Sequence, residues 1–166
     1  IDADPDATIA KQLNTYFAYA LVLSVSPTRE DDDLVIDGDQ FPDNVPDWID
    51  ALIIRTLPNS ISKRTQKYSG TNPAYFHRAF MDKVVQHGIM HFLTDLPSVD
   101  REEDGGALQS HNSFWNGSDR RSCTITEMIF VDDNIGDGIY LLNLQVPNID
   151  MDAAPSRPVL FAMTKV

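Results

Sequence analysis

A single cysteine, Cys123, stands in 166 residues, so no internal disulfide can form and the paired-cysteine spacings of zinc fingers are absent. A reducing, cytoplasmic setting suits such a chain. No apolar run approaches the roughly 20 residues that span a bilayer, and the best candidate, Tyr16 to Val25, is flanked by polar residues. Bases are scarce: 13 Lys and Arg face 25 Asp and Glu, for a formal charge of −12. The one basic cluster, Lys63, Arg64 and Lys67, is too small to reverse that, which excludes nucleic acid as a partner. The acidic surface reads as a solubility or salt adaptation. There is no Gly-rich phosphate loop, and Ser98 lacks the G-x-S-x-G setting of a serine hydrolase. Cys123, in mid-strand without a neighbouring base, reads as a buried structural thiol. The start, Ile1 to Thr8, carries no basic segment followed by an apolar one and is not a signal peptide. Beginning on Ile1 rather than Met, the chain looks cut into or processed.

What is present is enough for a core. Apolar residues make up 42% of the chain, and a chain of this length buries roughly 68–70% of its unfolded surface. Ala7 to Leu13 predicts a short helix capped by Asp6. Tyr16 to Val25 predicts a strand buried on both faces. Arg29 to Asp33 reads as a charged loop, Leu34 to Ile36 as a brief edge strand, and Asp39 to Trp48 as a short helix or turn. Ala51 to Arg55 predicts a second buried strand, followed by a surface loop over Ser60 to Asn72 that is long enough to be a lid or a partner contact. A helix starts at Pro73 with Asn72 as its cap, keeps Phe76, Ala79, Phe80, Val84 and His87 on one face, and stops at Gly88. Strands over Ile89 to Thr94 and Ser122 to Val131 enclose a helix over Gly106 to Trp115. Two more strands, Ile139 to Val146 and Arg157 to Met163, close the chain. Strands alternating with helices and then following one another predict an α/β fold with a mixed sheet, in one domain over residues 1–166.

Chemistry concentrates between Thr94 and Asp133. Asp95, Ser98 and Asp100 follow the end of an apolar run, and His111 and Glu127 lie on the next two elements. Alternation places Glu127 on the strand face that carries Cys123, Ile125, Ile129 and Val131. A carboxylate there costs several kcal/mol unless it is paired or bound to a cation. A salt bridge to an Arg would meet that need, and so would a metal. Asp95, Asp100, His111 and Glu127 form a donor set suited to zinc or manganese. His77, His87 and His91 read as packed or surface residues.

Seven segments carry a family resemblance: IIRTLPN at Ile53 to Asn59, KYSGTNP at Lys67 to Pro73, DLPSVDRE at Asp95 to Glu102, HNSFWN at His111 to Asn116, ITEMIFV at Ile125 to Val131, GIYLLNLQ at Gly138 to Gln145 and DAAPSRPVLF at Asp152 to Phe161. In this order they resemble the metal-dependent cyclase family, which includes bacterial kynurenine formamidase and isatin hydrolase. The resemblance implies a cyclase-like swivelling β/β/α domain with its N-terminal part missing. It also implies hydrolysis of an amide or cyclic amide C–N bond, as in arylformamidase acting on N-formylkynurenine, with a divalent zinc or manganese ion. His111 and Glu127 map to downstream metal ligands. Asp95, Ser98 and Asp100 match a D-x-x-S-x-D segment that shapes the site, and Phe114 and Trp115 are candidates to line an aromatic-accepting pocket. Relatives supply further ligands and a proton-transfer histidine from an H-x-G-T-H-x-D-x-x-x-H motif absent from this sequence. The spacing from His111 to Glu127 is wider than in short kynurenine formamidases, which points to a distinct subgroup. The expectation is therefore a C-terminal two-thirds with little activity alone, binding a small-molecule amide and assembling as a homo-oligomer. The alternative is a non-catalytic binding or structural domain that kept the fold and lost the metal.

Overall fold

The computed structural model describes residues 8–163. In chain order the elements begin with one helical turn, α1 (Ile9–Gln12), and the strands β1 (Phe17–Val25), β2 (Thr28–Glu30), β3 (Asp33–Ile36) and β4 (Ala51–Thr56). They continue with β5 (Tyr75–Phe76), α2 (Arg78–Gln86), β6 (His91–Thr94), α3 (Gln109–Phe114) and β7 (Thr124–Thr126). The chain closes with β8 (Gly138–Asn143) and β9 (Val159–Ala162). Asp6, the expected cap of the first helix, lies outside the described residues.

Six strands form a mixed sheet in the order β7-β6-β4-β1-β8-β9, with β1, β4, β6 and β7 mutually parallel and β8 and β9 antiparallel to their neighbours. The remaining strands make a small sheet, β2-β3-β5. The near-continuous apolar run of β4 follows from burial on both faces, whereas β1, expected to be buried on both, is so only from Ala20 onward, with Phe17 and Tyr19 left exposed on one face. Leu21, Leu52, Ile54 and Phe92 point into a cluster completed by Phe76, Phe80, Met81, Val84 and Phe114. Phe76 and Phe92 meet there edge to face, ring centroids 5.0 Å apart. Ala18, Ala20, Val22, Ile53, Leu93 and Leu142 point to the opposite face, joined by Leu13, Val131 and Leu144. Each fully buried Leu, Ile or Phe contributes roughly 1.5–3 kcal/mol, so the two-sided sheet is the main source of stability.

Four further elements differ from sequence expectation. The helix expected from Pro73 begins at Arg78, because Tyr75 and Phe76 pair with Val35 and Ile36 as β5. His77, not Asn72, caps it, its ring accepting from the Ala79 amide, while Asn72 sits at φ 46°. The charged stretch read as a loop folds into a hairpin, Glu30 opposite Asp33, through Asp31 at φ 51°. The helix expected from Gly106 begins only at Gln109, since Gly105 and Gly106 adopt positive φ. The strand expected over Ser122 to Val131 stops at Thr126, because Met128 turns into the left-handed region at φ 57°.

His91 is buried where β6 begins, its Nδ1 2.9 Å from Thr124 Oγ1. Burial holds its imidazole below the ordinary 6.5, against the pull of Asp50. The unfolded ring takes up its proton near that value and the folded ring only at lower pH, so stability is lost as pH falls below 6.5. Relative to His91→Gln, the wild type is expected to lose up to about 1.4 kcal/mol per pH unit in that window. Urea unfolding of both proteins between neutral and mildly acidic pH checks this; parallel curves contradict it.

Candidate metal centre

The strand ends of β6 and β7 and the start of α3 bring His111 and Glu127 together. Loop 95–100 leaves β6, and α3 returns over it. Leu108, before α3, offers no capping side chain, so the helix takes its cap from that loop: Asp100 accepts from the Ser110 amide at 2.6 Å and the His111 amide at 3.2 Å. The Asp100 Oδ2 atom also lies 2.6 Å from His111 Nδ1. Burial opposes the charged form of Asp100, but the bonds from the His111 ring and the two amides outweigh it, and its carboxyl lies below the usual range. With Nδ1 engaged, His111 turns its Nε2 outward.

That Nε2 faces Glu127 Oε1 at 3.6 Å, too far for a good hydrogen bond and close enough for both atoms to share one cation. Glu127 Oε1 accepts from the Val99 amide at 3.0 Å. Burial pushes the Glu127 carboxyl above the usual range, against the pull of His111 and the Val99 amide, with Asp100 adding to the rise. Glu127 thus stands one residue past the end of β7, not in mid-strand, and the group it faces is the His111 imidazole rather than the Arg side chain considered from sequence.

The pair opens into a groove of about 1300 Å³, lined also by Leu93, Trp115, Ile129 and Val131. Trp115 stacks on the His111 ring, centroids 5.6 Å apart and planes 29° apart, and donates its Nε1–H to the Cys123 carbonyl at 2.9 Å. Phe114, expected beside it in the pocket, is instead fully buried in the core, with Arg120 above its ring. Ser98 Oγ accepts from the Asp100 amide at 3.1 Å and so shapes the loop. Cys123 is buried, and burial pushes its thiol up, out of the reactive range.

Asp95 is directed elsewhere. Its carboxylate accepts from the Thr56 amide and hydroxyl and from Lys63 Nζ, at 2.8 to 3.1 Å. Lys63, read from sequence only as part of a basic cluster, and Thr56, read only as one of the polar residues ending a strand, were not assigned to Asp95, nor the Val99 amide to Glu127, because nothing in a polar loop or a backbone amide marks such a role. Oxygen and imidazole donors fit a divalent ion, but among the described residues no group of three His, Cys, Asp or Glu converges on one point. The described residues therefore present a two-donor set, His111 and Glu127.

No protein-family model matches the chain, and no curated protein sequence does. Solved structures match its fold. A potential metal-dependent hydrolase with cyclase activity superposes at a TM-score of 0.68 with 15% identity, covering 92% of this chain and 69% of its own. A predicted metal-dependent hydrolase from Bacillus stearothermophilus gives 0.62 and 16%, covering 86% and 62%. An isatin hydrolase bound to the product analogue thioisatinate gives 0.60 and 15%, covering 90% and 60%. The fold is thus α/β with a mixed sheet, of the cyclase-like metal-dependent hydrolase type, and the chain spans 60 to 69% of these structures.

Proposed function

We propose that this chain is the larger part of a metal-dependent hydrolase of the C–N bond in an aryl amide or cyclic amide, of the arylformamidase kind. The observation that carries the reading is the His111 and Glu127 pair: two donor atoms 3.6 Å apart lining a groove, His111 held through its Nδ1 by Asp100 and Glu127 through Oε1 by the Val99 amide. The fold type and the segment resemblance support it. A divalent zinc or manganese ion, when bound, polarises the scissile carbonyl and makes water a nucleophile near neutral pH.

The residues of this chain prepare that chemistry. Asp100 fixes the His111 ring so that Nε2 points at the groove. The Val99 amide fixes Glu127. Trp115, half-exposed beside His111, offers a flat face to an aromatic substrate. On this reading further donors come from outside this sequence, where the resemblance puts the H-x-G-T-H-x-D motif.

That only two donors converge among the described residues favours a second reading, a domain that keeps the fold for binding and carries no metal. Hydrolysis of N-formylkynurenine and isatin separates the two. The full natural polypeptide, loaded with zinc or manganese, is expected to hydrolyse an amide of this class and to lose activity with a chelator, while residues 1–166 alone turn over little or nothing. Asp100→Asn is expected to lower the rate by about 10–100-fold, the usual cost of losing the partner that orients a liganding histidine. No turnover of any aryl or cyclic amide with either metal sinks the hydrolase reading.

A further inference from the structure

The basic cluster Lys63, Arg64 and Lys67 stands out in a chain with 25 acids and 13 bases. The fold gives its first two members different tasks. Lys63 is committed to Asp95, and that bond fastens the turn at Ile61–Arg64 to the C-terminal ends of β4 and β6. Glu127 stands at the same edge of the sheet, one residue past the parallel strand β7. Open α/β sheets take their ligands at that edge. Arg64 itself is exposed, and its guanidinium carbon lies 5.8 Å from the centre of the Phe130 ring. Phe130 lines the groove three residues beyond Glu127, so the two α-carbons are at most roughly 11 Å apart.

We propose that Arg64 determines substrate specificity: its guanidinium takes a carboxylate carried on the aromatic part of the substrate, which narrows the substrate class to anionic aryl amides. The amide rests on the hydrolase reading above; the anion rests on Arg64 and its surroundings. Arg55, Arg78 and Arg101 each reach an aspartate, whereas among the described residues no carboxylate pairs with Arg64. A guanidinium attracted to a ring face keeps N–H donors for a further partner, and its planar fork matches a carboxylate in a way that a lysine point charge does not. The groove also differs in charge from the rest of the chain. Its charged lining sets Arg121 and Arg157 against Glu127 and Asp152, and Arg64 beside Phe130 tips that balance to positive, in a chain that carries −12. An anion repelled by the acidic surface elsewhere is drawn to this rim.

The test compares 3-formamidobenzoate with formanilide, two aryl formamides that differ by one carboxylate. Titrated by NMR into the 166-residue chain, the anionic compound is expected to bind about 10–100-fold tighter, the worth of a hydrogen bond to a charged group, and to shift the Arg64 Nε–H and Phe130 ring signals. Arg64→Gln is expected to remove that preference and Arg64→Lys to keep part of it, with the melting temperature unchanged because the side chain is exposed. In the metal-loaded full natural polypeptide, Arg64→Gln is expected to lower the ratio of kcat/KM for the anionic over the neutral compound by the same factor, a ratio in which a general structural loss cancels. Equal binding of the two compounds overturns the proposal, and so does a preference that Arg64→Gln leaves intact. The two readings fail separately. A binding preference abolished by Arg64→Gln, with neither compound hydrolysed, supports the anion site and sinks the hydrolase reading alone. Hydrolysis of both compounds at a ratio that Arg64→Gln does not move overturns the anion site and leaves the hydrolase reading standing.

Discussion

Replacing Glu127 with glutamine is expected to lower divalent-metal affinity and amide hydrolysis together by more than about a hundredfold, since loss of an outer partner alone costs 10–100-fold. The same change is expected to leave the melting temperature of the metal-free chain unchanged or higher. Both outcomes follow from one environment. Burial pushes the Glu127 carboxyl up, so its charged form is stored at a cost that a neutral amide of the same shape avoids. Glutamine keeps the carbonyl oxygen that accepts from the Val99 amide at 3.0 Å. Metal titration, hydrolysis and thermal melts on the two proteins check this. A purely structural ion pair with His111 predicts the reverse: lower melting temperature and unaltered hydrolysis.

Lys63→Met is expected to cost about 3–5 kcal/mol of unfolding free energy, the penalty for leaving a buried charge without its partner. The Asp95 side chain is 1% exposed and that of Lys63 13%, with 2.8 Å between Nζ and Oδ2. Lys63 Nζ also donates to the Thr56 hydroxyl at 2.9 Å and to the Thr56 carbonyl, fastening the turn at Ile61–Arg64 onto the ends of β4 and β6. The asymmetry of burial gives a second expectation. Asp95→Asn alone costs less than Lys63→Met, because the lysine, on a surface turn, can swing its ammonium into water. In the Lys63→Met background, Asp95→Asn recovers part of the loss. Urea denaturation of the four proteins forms the cycle, and a Lys63→Met cost below about 1 kcal/mol, the worth of an exposed pair, contradicts it.

Residues whose role depends on their own pattern were legible in the sequence. The apolar run of β4 marked a strand buried on both faces, that of β1 a strand so buried only beyond the exposed Phe17 and Tyr19, and Glu127 stood out because a carboxylate was flanked by apolar neighbours. Roles set by distant partners were not legible. Tyr75 and Phe76 fit the helical period, but pairing with β3 holds them extended, a tertiary contact that no local propensity records. Alternation ran through Glu127 without a break, whereas the backbone reverses at Met128 with φ 57°. Asp95 and Asp100 looked equivalent as acids near a strand end. The fold gives the first to Lys63 and Thr56 and the second to His111, a division made by loop geometry alone. Phe114 and Trp115 are adjacent in sequence, yet α3 turns one into the core and the other toward the groove.

The central claim is that His111 and Glu127 act as one pair of donors to a divalent ion, and paramagnetic broadening by manganese tests it most directly. The chain holds four histidines, of which His77 and His87 are exposed and His91 is buried. As manganese is added in small amounts, the ring signals of His111 are expected to broaden first, and Glu127→Gln is expected to abolish that preference. Broadening of His77 and His87 ahead of His111, or a His111 response that survives Glu127→Gln unchanged, contradicts the account.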